Sequence, residues 1–354
     1  MLHLKKLREQ MAEKGIDAFL SLDELNQRYL CGFAFTDGAL LITKTRSIMI
    51  TDFRYYEHAQ KEAYSEFEIV MPEKRKAFIT ETLKNENAKV VALEGSSVAY
   101  AVYEAYKSNY PEFEFVDIGN AIEVLRQVKT PEEIVMMQKA QDITDLAFKH
   151  ILSILTPEMT ELDVAVELEY AMRKNGASAF AFDTIAVSGD GSALPHGTPR
   201  NVKLRQGFLT MDFGAKFNGY CSDMTRTVVI GKATDEIKKV YNTVLQAQLS
   251  AISYLKAGAD CGEADKIARD IIDKEYQGKF GHSLGHGVGL FIHETPRLSV
   301  RGFNQKLRVG EIVTVEPGIY LLGKYGCRIE DMVAIKENGV HNFTHSTKEL
   351  IEIY

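Results

Sequence analysis

Leu4, Leu7 and Met11 recur at helical spacing across residues 2–14, and the apolar run that follows at 16–22 is short enough for one buried strand. Strand-like runs at 39–51, 89–94 and 113–118 alternate with helical stretches at 74–87 and 97–108, the order of an α/β unit ending near Gly119. Past about residue 125 the texture changes. Thr130-Pro131-Glu132-Glu133 puts a hydroxyl at the N-cap, proline at the first helical position and glutamate at the third, and predicts a long helix through His150. Thr160-x-x-Asp163 opens another in the same way. From 185 onward β-branched runs and glycine turns dominate, broken by helical stretches at 233–256 and 262–277. That pattern predicts an α+β unit with an antiparallel sheet, and hence two domains, 1–125 and 126–354.

Composition narrows the class. A chain of 354 residues with 45% hydrophobic and 26% charged side chains has the apolar content for a large core and is not a disordered protein. No apolar run approaches the roughly 20 residues a bilayer crossing requires. Charges at Lys5, Lys6, Arg8 and Glu9 stand where a secretory leader would place its apolar stretch, so a cytoplasmic location is expected. With 42 basic against 49 acidic side chains and no basic cluster, neither nucleic acid nor membrane is an expected partner, whereas small molecules or peptides are. Four widely spaced cysteines without a CxxC pair fit a reducing compartment.

Chemistry first shows in Met211-Asp212-Phe213-Gly214 and Tyr220-Cys221-Ser222-Asp223, two strand-like runs joined across Asn218-Gly219. A two-residue turn there pairs Phe217 with Tyr220 and therefore Asp212 with Thr225. Asp223 shares the face of Thr225, which makes Asp212 and Asp223 diagonal neighbours able to share an ion. Aspartate is depleted in strands, so two on one face need a reason, although a solvated hairpin face would also accommodate them.

Three of the nine histidines fall in Gly281-His282-Ser283-Leu284-Gly285-His286-Gly287-Val288-Gly289-Leu290-Phe291-Ile292-His293. The repeated glycines rule out a helical zinc motif, no HExxH is present, and Leu290 stands where a phosphate loop would need its third glycine. The segment reads as an extended or looping site. Downstream, Val315-Glu316-Pro317-Gly318 and Arg328-Ile329-Glu330-Asp331 each place a glutamate in or at the end of an apolar strand. A buried glutamate without a partner is costly, and a cation or, for Glu330, the nearby Arg328 would supply one. Two Asp, one His and two Glu are too many ligands for one tetrahedral zinc and enough for two metals. Such an oxygen-rich set favours Mn²⁺, Co²⁺ or Fe²⁺ over zinc, and a pair of such ions can ionise a bridging water and polarise a carbonyl for hydrolysis.

These motifs resemble those of the pita-bread metallopeptidases, specifically the Xaa-Pro peptidases, prolidase (Xaa-Pro dipeptidase) and aminopeptidase P, and more distantly methionine aminopeptidase. The family's metal-ligand order Asp, Asp, His, Glu, Glu is matched by Asp212, Asp223, His286, Glu316 and Glu330. The resemblance covers nearly the whole chain and implies a creatinase-like α/β N-terminal domain before a pita-bread catalytic domain with a curved antiparallel sheet. It further implies Glu316 as general acid/base, with His196, His282 and His293 around the substrate, His196 and His293 being catalytic. Phe182 resembles a position in the substrate wall, Arg328 an active-site arginine, and Arg297 an arginine that holds the carboxylate of a C-terminal proline. The expected reaction is cleavage of the bond before proline by a cytoplasmic homodimer carrying two divalent ions, acting as a dipeptidase or alternatively as an aminopeptidase P. A creatinase-like hydrolase and a non-catalytic binding protein of the same fold are the alternatives of another class. The intact ligand set argues against the first, and the lack of a basic tract also argues against the second.

Overall fold

The run at 39–51, which reads as a single strand, is a hairpin of Ala39–Thr43 and Ser47–Ile50. Thr43 causes the break: its Oγ1 accepts from the N–H groups of Thr45 (3.3 Å) and Arg46 (2.9 Å), and its own N–H bonds the Arg46 carbonyl. Serine and threonine hydroxyls offer the backbone such local partners, and a turn wins over a continued strand. The computed structural model describes residues 2–354 and divides the chain into two units, Met1–Arg126 and Gln127–Tyr354.

In the first unit one sheet of six strands runs in the order Glu68–Val70, Ser47–Ile50, Ala39–Thr43, Ala18–Ser21, Val90–Leu93 and Glu114–Asp117. Its central strands are buried on both faces, as sheets covered by helices require, and the helix Leu2–Glu13 buries the expected Leu4, Leu7 and Met11.

In the second unit the helices Pro131–Ile154 and Glu161–Lys174 both begin with a full capping box, at Thr130/Glu133 and Thr160/Asp163. The long strand Gly207–Phe213 pairs antiparallel with Met224–Ile230 over its whole length; Ile185–Ser188 adds on one side, antiparallel, and Glu352–Ile353 on the other, parallel. A second, antiparallel sheet runs Glu294–Leu298, Gly285–Gly287, Ile312–Val315, Asp331–Lys336, Gly339–Asn342. Leu209, Met211 and Phe213 enter the core shared with the first helix pair, which by the period-two alternation of a strand turns Asp212 to the other face. The helices Asp235–Tyr254 and Cys261–Tyr276 share a core with Val313, Val315, Val333 and Ile335 of the second sheet. No helix among the described residues is long and apolar enough to cross a membrane.

Candidate metal-binding active site

Asn218 (φ 49°) and Gly219 (φ 83°) both occupy the left-handed region, as the two-residue turn of a hairpin demands. The register is the one expected, Phe217 opposite Tyr220 and Asp212 opposite Thr225. Between these pairs the ladder is interrupted at Gly214 without a change of register; a Cβ there would lie 2.0 Å from the Ser222 carbonyl oxygen, and Ser222 Oγ accepts from Ala215 N at 2.9 Å. Asp223 follows directly on this close approach, and it is itself buried.

His286 lies on the strand Gly285–Gly287, pressed between two neighbours: a Cβ on Gly285 would meet Thr314 O at 2.0 Å, and one on Gly287 would meet Thr295 O at 2.3 Å. The glycines around the histidine are thus required by close strand approach. His286 Nδ1 faces Gly287 O at 3.0 Å, so this nitrogen carries the hydrogen and Nε2 presents its lone pair. Burial lowers the ring to a pKa of about 3 and keeps it neutral. Nε2 lies 3.5 Å from both Asp223 Oδ2 and Glu316 Oε1, three electron-rich atoms that need a cation among them.

The remaining oxygens make the same demand. Ligand atoms of Asp223, His286 and Glu330 lie within 4.8 Å of one another. Asp212 Oδ1 and Glu330 Oε1 are buried without a hydrogen-bond partner, which a native site rarely tolerates. Burial, then repulsion from Asp212 and Glu316, pushes Asp223 well above the usual carboxylate range; burial and the charges of Asp223, Glu316 and Asp212 do the same to Glu330. Glu316 is raised to about 8, chiefly by burial. Four carboxylates thus gather around a neutral imidazole, and the guanidinium of Arg328 bonds one of them, Asp212. The donor set fits divalent cations.

Arg328 does not pair with Glu330. The strand Tyr325–Arg328 ends at the arginine, so the alternation that would put Glu330 on its face is lost; Glu330 N instead bonds Thr225 O, and its Oε2 accepts from Thr225 Oγ1 at 2.7 Å. Four of the five Arg328 donors bond protein groups: Nη2 to Asp212 Oδ2 (2.6 Å), Nε to Thr225 Oγ1 (3.0 Å), and Nη1 to Tyr320 OH (2.8 Å) and Pro195 O (3.3 Å). Tyr320 also contacts His282 Nε2 at 2.9 Å. Because His282 Nδ1 faces Ser283 O at 2.8 Å and so donates, Nε2 accepts, and the Tyr320 hydroxyl receives from Arg328 while donating to His282. Burial and the Arg328 charge lower His282 to about 4, which keeps that acceptor available. Sequence reasoning misses Tyr320, four residues after Glu316 on the strand Gly318–Leu321, because nothing local marks it. Thr225 is within its reach, since the hairpin register places it opposite Asp212.

Every candidate site residue named from the sequence lines one cavity of about 460 Å³: Asp212, Asp223, His286, Glu316, Glu330, His196, His282, His293, Phe182, Arg297 and Arg328. His293 stands edge-on to His286 at 4.5 Å between ring centres, and desolvation with the Arg297 guanidinium lowers its pKa.

The chain matches two family models, metallopeptidase family M24 over residues 135–337 and the creatinase/prolidase N-terminal domain over residues 3–128. It is 38% identical to the Xaa-Pro dipeptidase of Pyrococcus furiosus over 353 residues, 98% of this chain and 99% of that protein. The structure resembles the Xaa-Pro dipeptidase from Bacillus anthracis (TM-score 0.95, 42% identity, 100% of this chain and 99% of the other). It also resembles the X-Pro aminopeptidase from Thermotoga maritima MSB8 (TM-score 0.91, 37% identity, 96% and 98%).

Proposed function

From the premise that this chain belongs to metallopeptidase family M24, with a creatinase-type N-terminal domain and a pita-bread catalytic domain, we propose that it hydrolyses the bond before proline in Xaa-Pro dipeptides. The observation that carries the reading is the cluster of Asp212, Asp223, His286, Glu316 and Glu330, whose unpartnered oxygens and neutral imidazole converge in one cavity. In this reading the five side chains hold two divalent ions, manganese by preference, with cobalt or iron as substitutes and zinc less suited. When bound, such ions supply Lewis acidity, bringing the pKa of a water toward neutrality and polarising a carbonyl oxygen.

The chain's own groups do the rest. Glu316, whose carboxylate lines the cavity beside His286, takes a proton from the attacking water and returns it to the leaving proline nitrogen. His196 and His293 donate to the carbonyl oxygen as charge develops on it, Phe182 forms the wall against the ring, and Arg297 pairs with the substrate carboxylate. Among the described residues no side-chain hydrogen bond or ion pair engages Arg297, which leaves its donors for a ligand. Arg328 buttresses Asp212 and, from the lining of the same cavity, also reaches the substrate in this reading. The domains we assign are 1–125 and 126–354, in a cytoplasmic homodimer.

A second reading, aminopeptidase P acting on longer Xaa-Pro peptides, is favoured by one observation. A further cavity of about 610 Å³ shares His282, Ser283 and Arg297 with the first and continues past Arg297 to Ser299 and Arg301, giving room for residues beyond proline. Turnover with Mn²⁺ on Ala-Pro, Ala-Pro-Ala and Ala-Ala separates the readings. The dipeptidase reading requires Ala-Pro to be the best of the three; preference for Ala-Pro-Ala selects the second, and equal rates on Ala-Ala and Ala-Pro would remove both.

A further inference from the structure

The segment 281–283 lines the second cavity and, through His282 and Ser283, the first, and it is fastened to a neighbouring helix. On the helix Cys261–Tyr276, Asp265 and Arg269 stand one turn apart, the carboxylate fully buried. Asp265 Oδ2 accepts from Arg269 Nε at 2.8 Å, and its Oδ1 accepts from Arg269 Nη2 and from Leu284 N, both at 3.0 Å. Arg269 Nη1 donates to Phe280 O (2.6 Å) and Nη2 to His282 O (2.9 Å), while the guanidinium lies 4.4 Å over the Phe280 ring. Phe280 in turn stands edge-on to the His282 ring, 5.0 Å between centres.

An i,i+4 ion pair on a helix surface contributes a few tenths of a kcal/mol and needs no contact with a loop. Here the bonds of the pair that leave the helix end on the backbone of one short stretch, 280–284, that forms no ladder until Gly285. A Cβ at Gly281 would meet nothing within 4 Å, so the stretch is not gripped by packing at that point. What it carries is His282, the acceptor that orients the Tyr320 hydroxyl toward itself and so leaves its lone pair for Arg328, the partner of Asp212.

We propose that Asp265 and Arg269 are positioning residues for the reaction: they hold the 280–284 segment so that His282 engages Tyr320, and through Tyr320 and Arg328 they set the Asp212 carboxylate. The proposal rests on the reading of this cavity as the active site, and it extends the machinery to a helix that lends no side chain to the ligand set.

The test combines Arg269→Ala, Arg269→Lys and Asp265→Asn with Tyr320→Phe. Arg269→Ala should lower kcat on Ala-Pro about ten- to a hundredfold, the range for a modest displacement of reacting groups, with KM changed less than about threefold. In the Tyr320→Phe background, where the relay is already cut, the same substitution should cost less than about threefold, and Arg269→Lys should recover part of the loss. Equal losses in both backgrounds, or a loss that follows the thermal midpoint, would reduce the pair to a structural role. Should Arg269→Ala not fold, Arg269→Lys and Asp265→Asn carry the same comparison. Independently of turnover, ¹⁵N-histidine NMR should show a slowly exchanging His282 Nδ1–H, assigned by its loss in His282→Gln, that is lost or broadened in the Arg269 variants. An unchanged signal would overturn the proposal even if no Xaa-Pro peptide were cleaved, whereas a lost signal with an inactive wild type would overturn only the assigned reaction.

Discussion

Asp223→Asn offers the sharpest examination of the charge argument, because it keeps the side chain's shape and removes one negative charge. Its carboxylate lies within 4.8 Å of Glu330 and in contact range of His286. Two full charges at that separation repel by about 3 kcal/mol at an effective dielectric constant of about 20. The metal-free protein relieves this by taking up protons, since Asp223 and Glu330 are raised well above the carboxylate range and Glu316 to about 8. The folded state therefore binds more protons than the unfolded chain, whose carboxyls titrate near pH 4, and stability must fall as pH rises from about 4 through about 8. In chelator at about pH 8.5, Asp223→Asn should be the more stable protein by up to about 3 kcal/mol, which for a domain of this size is about 6–12 °C in Tm. With Mn²⁺ the order should reverse, because a ligand that binds only the native state stabilises the protein that binds it better. Circular-dichroism melts of both proteins between about pH 6 and 8.5, with chelator and with Mn²⁺, decide the point. A chelated wild type whose midpoint does not drop toward alkaline pH, or that stays above Asp223→Asn there, would refute the reading of these carboxylates as a mutually repelling set.

Three further outcomes are expected. Chelation should abolish turnover and Mn²⁺ or Co²⁺ restore it, with elemental analysis showing two ions per chain at full activity; full activity in a metal-free sample would exclude the ligand assignment. Asp223→Asn should lose most turnover even in excess Mn²⁺, and wild-type rates and metal content in the variant would contradict its place in the site. Arg297→Ala should lower kcat/KM for Ala-Pro about ten- to a hundredfold, the range for a hydrogen bond to a charged group, while hardly affecting Ala-Pro-Ala; equal losses on both peptides would show that Arg297 does not read the terminal carboxylate.

What the sequence determined by itself is what depends on neighbours along the chain. Asn218-Gly219 dictated a turn with positive φ at both positions, and once that turn was set the pairing of Asp212 with Thr225 followed, because strand register propagates from the hairpin. Thr130 and Thr160 announced their helices through caps that involve only the first turn. The carboxylates and imidazole that converge in the cavity and the glycines around His286 were equally legible, since side-chain chemistry and close approach are properties of single residues. Partners across the fold were not. Arg328 had Glu330 two positions away and chose Asp212, because its strand ends at that residue and the fold brings the aspartate of another strand within reach. Tyr320, Asp265 and Arg269 carry no local mark of function; their roles come from which segments the two sheets and the helix Cys261–Tyr276 bring side by side. Local sequence sets the face a side chain points to, but the order of strands and helices in the core decides what it meets there, and that order is fixed by burial summed over the whole domain.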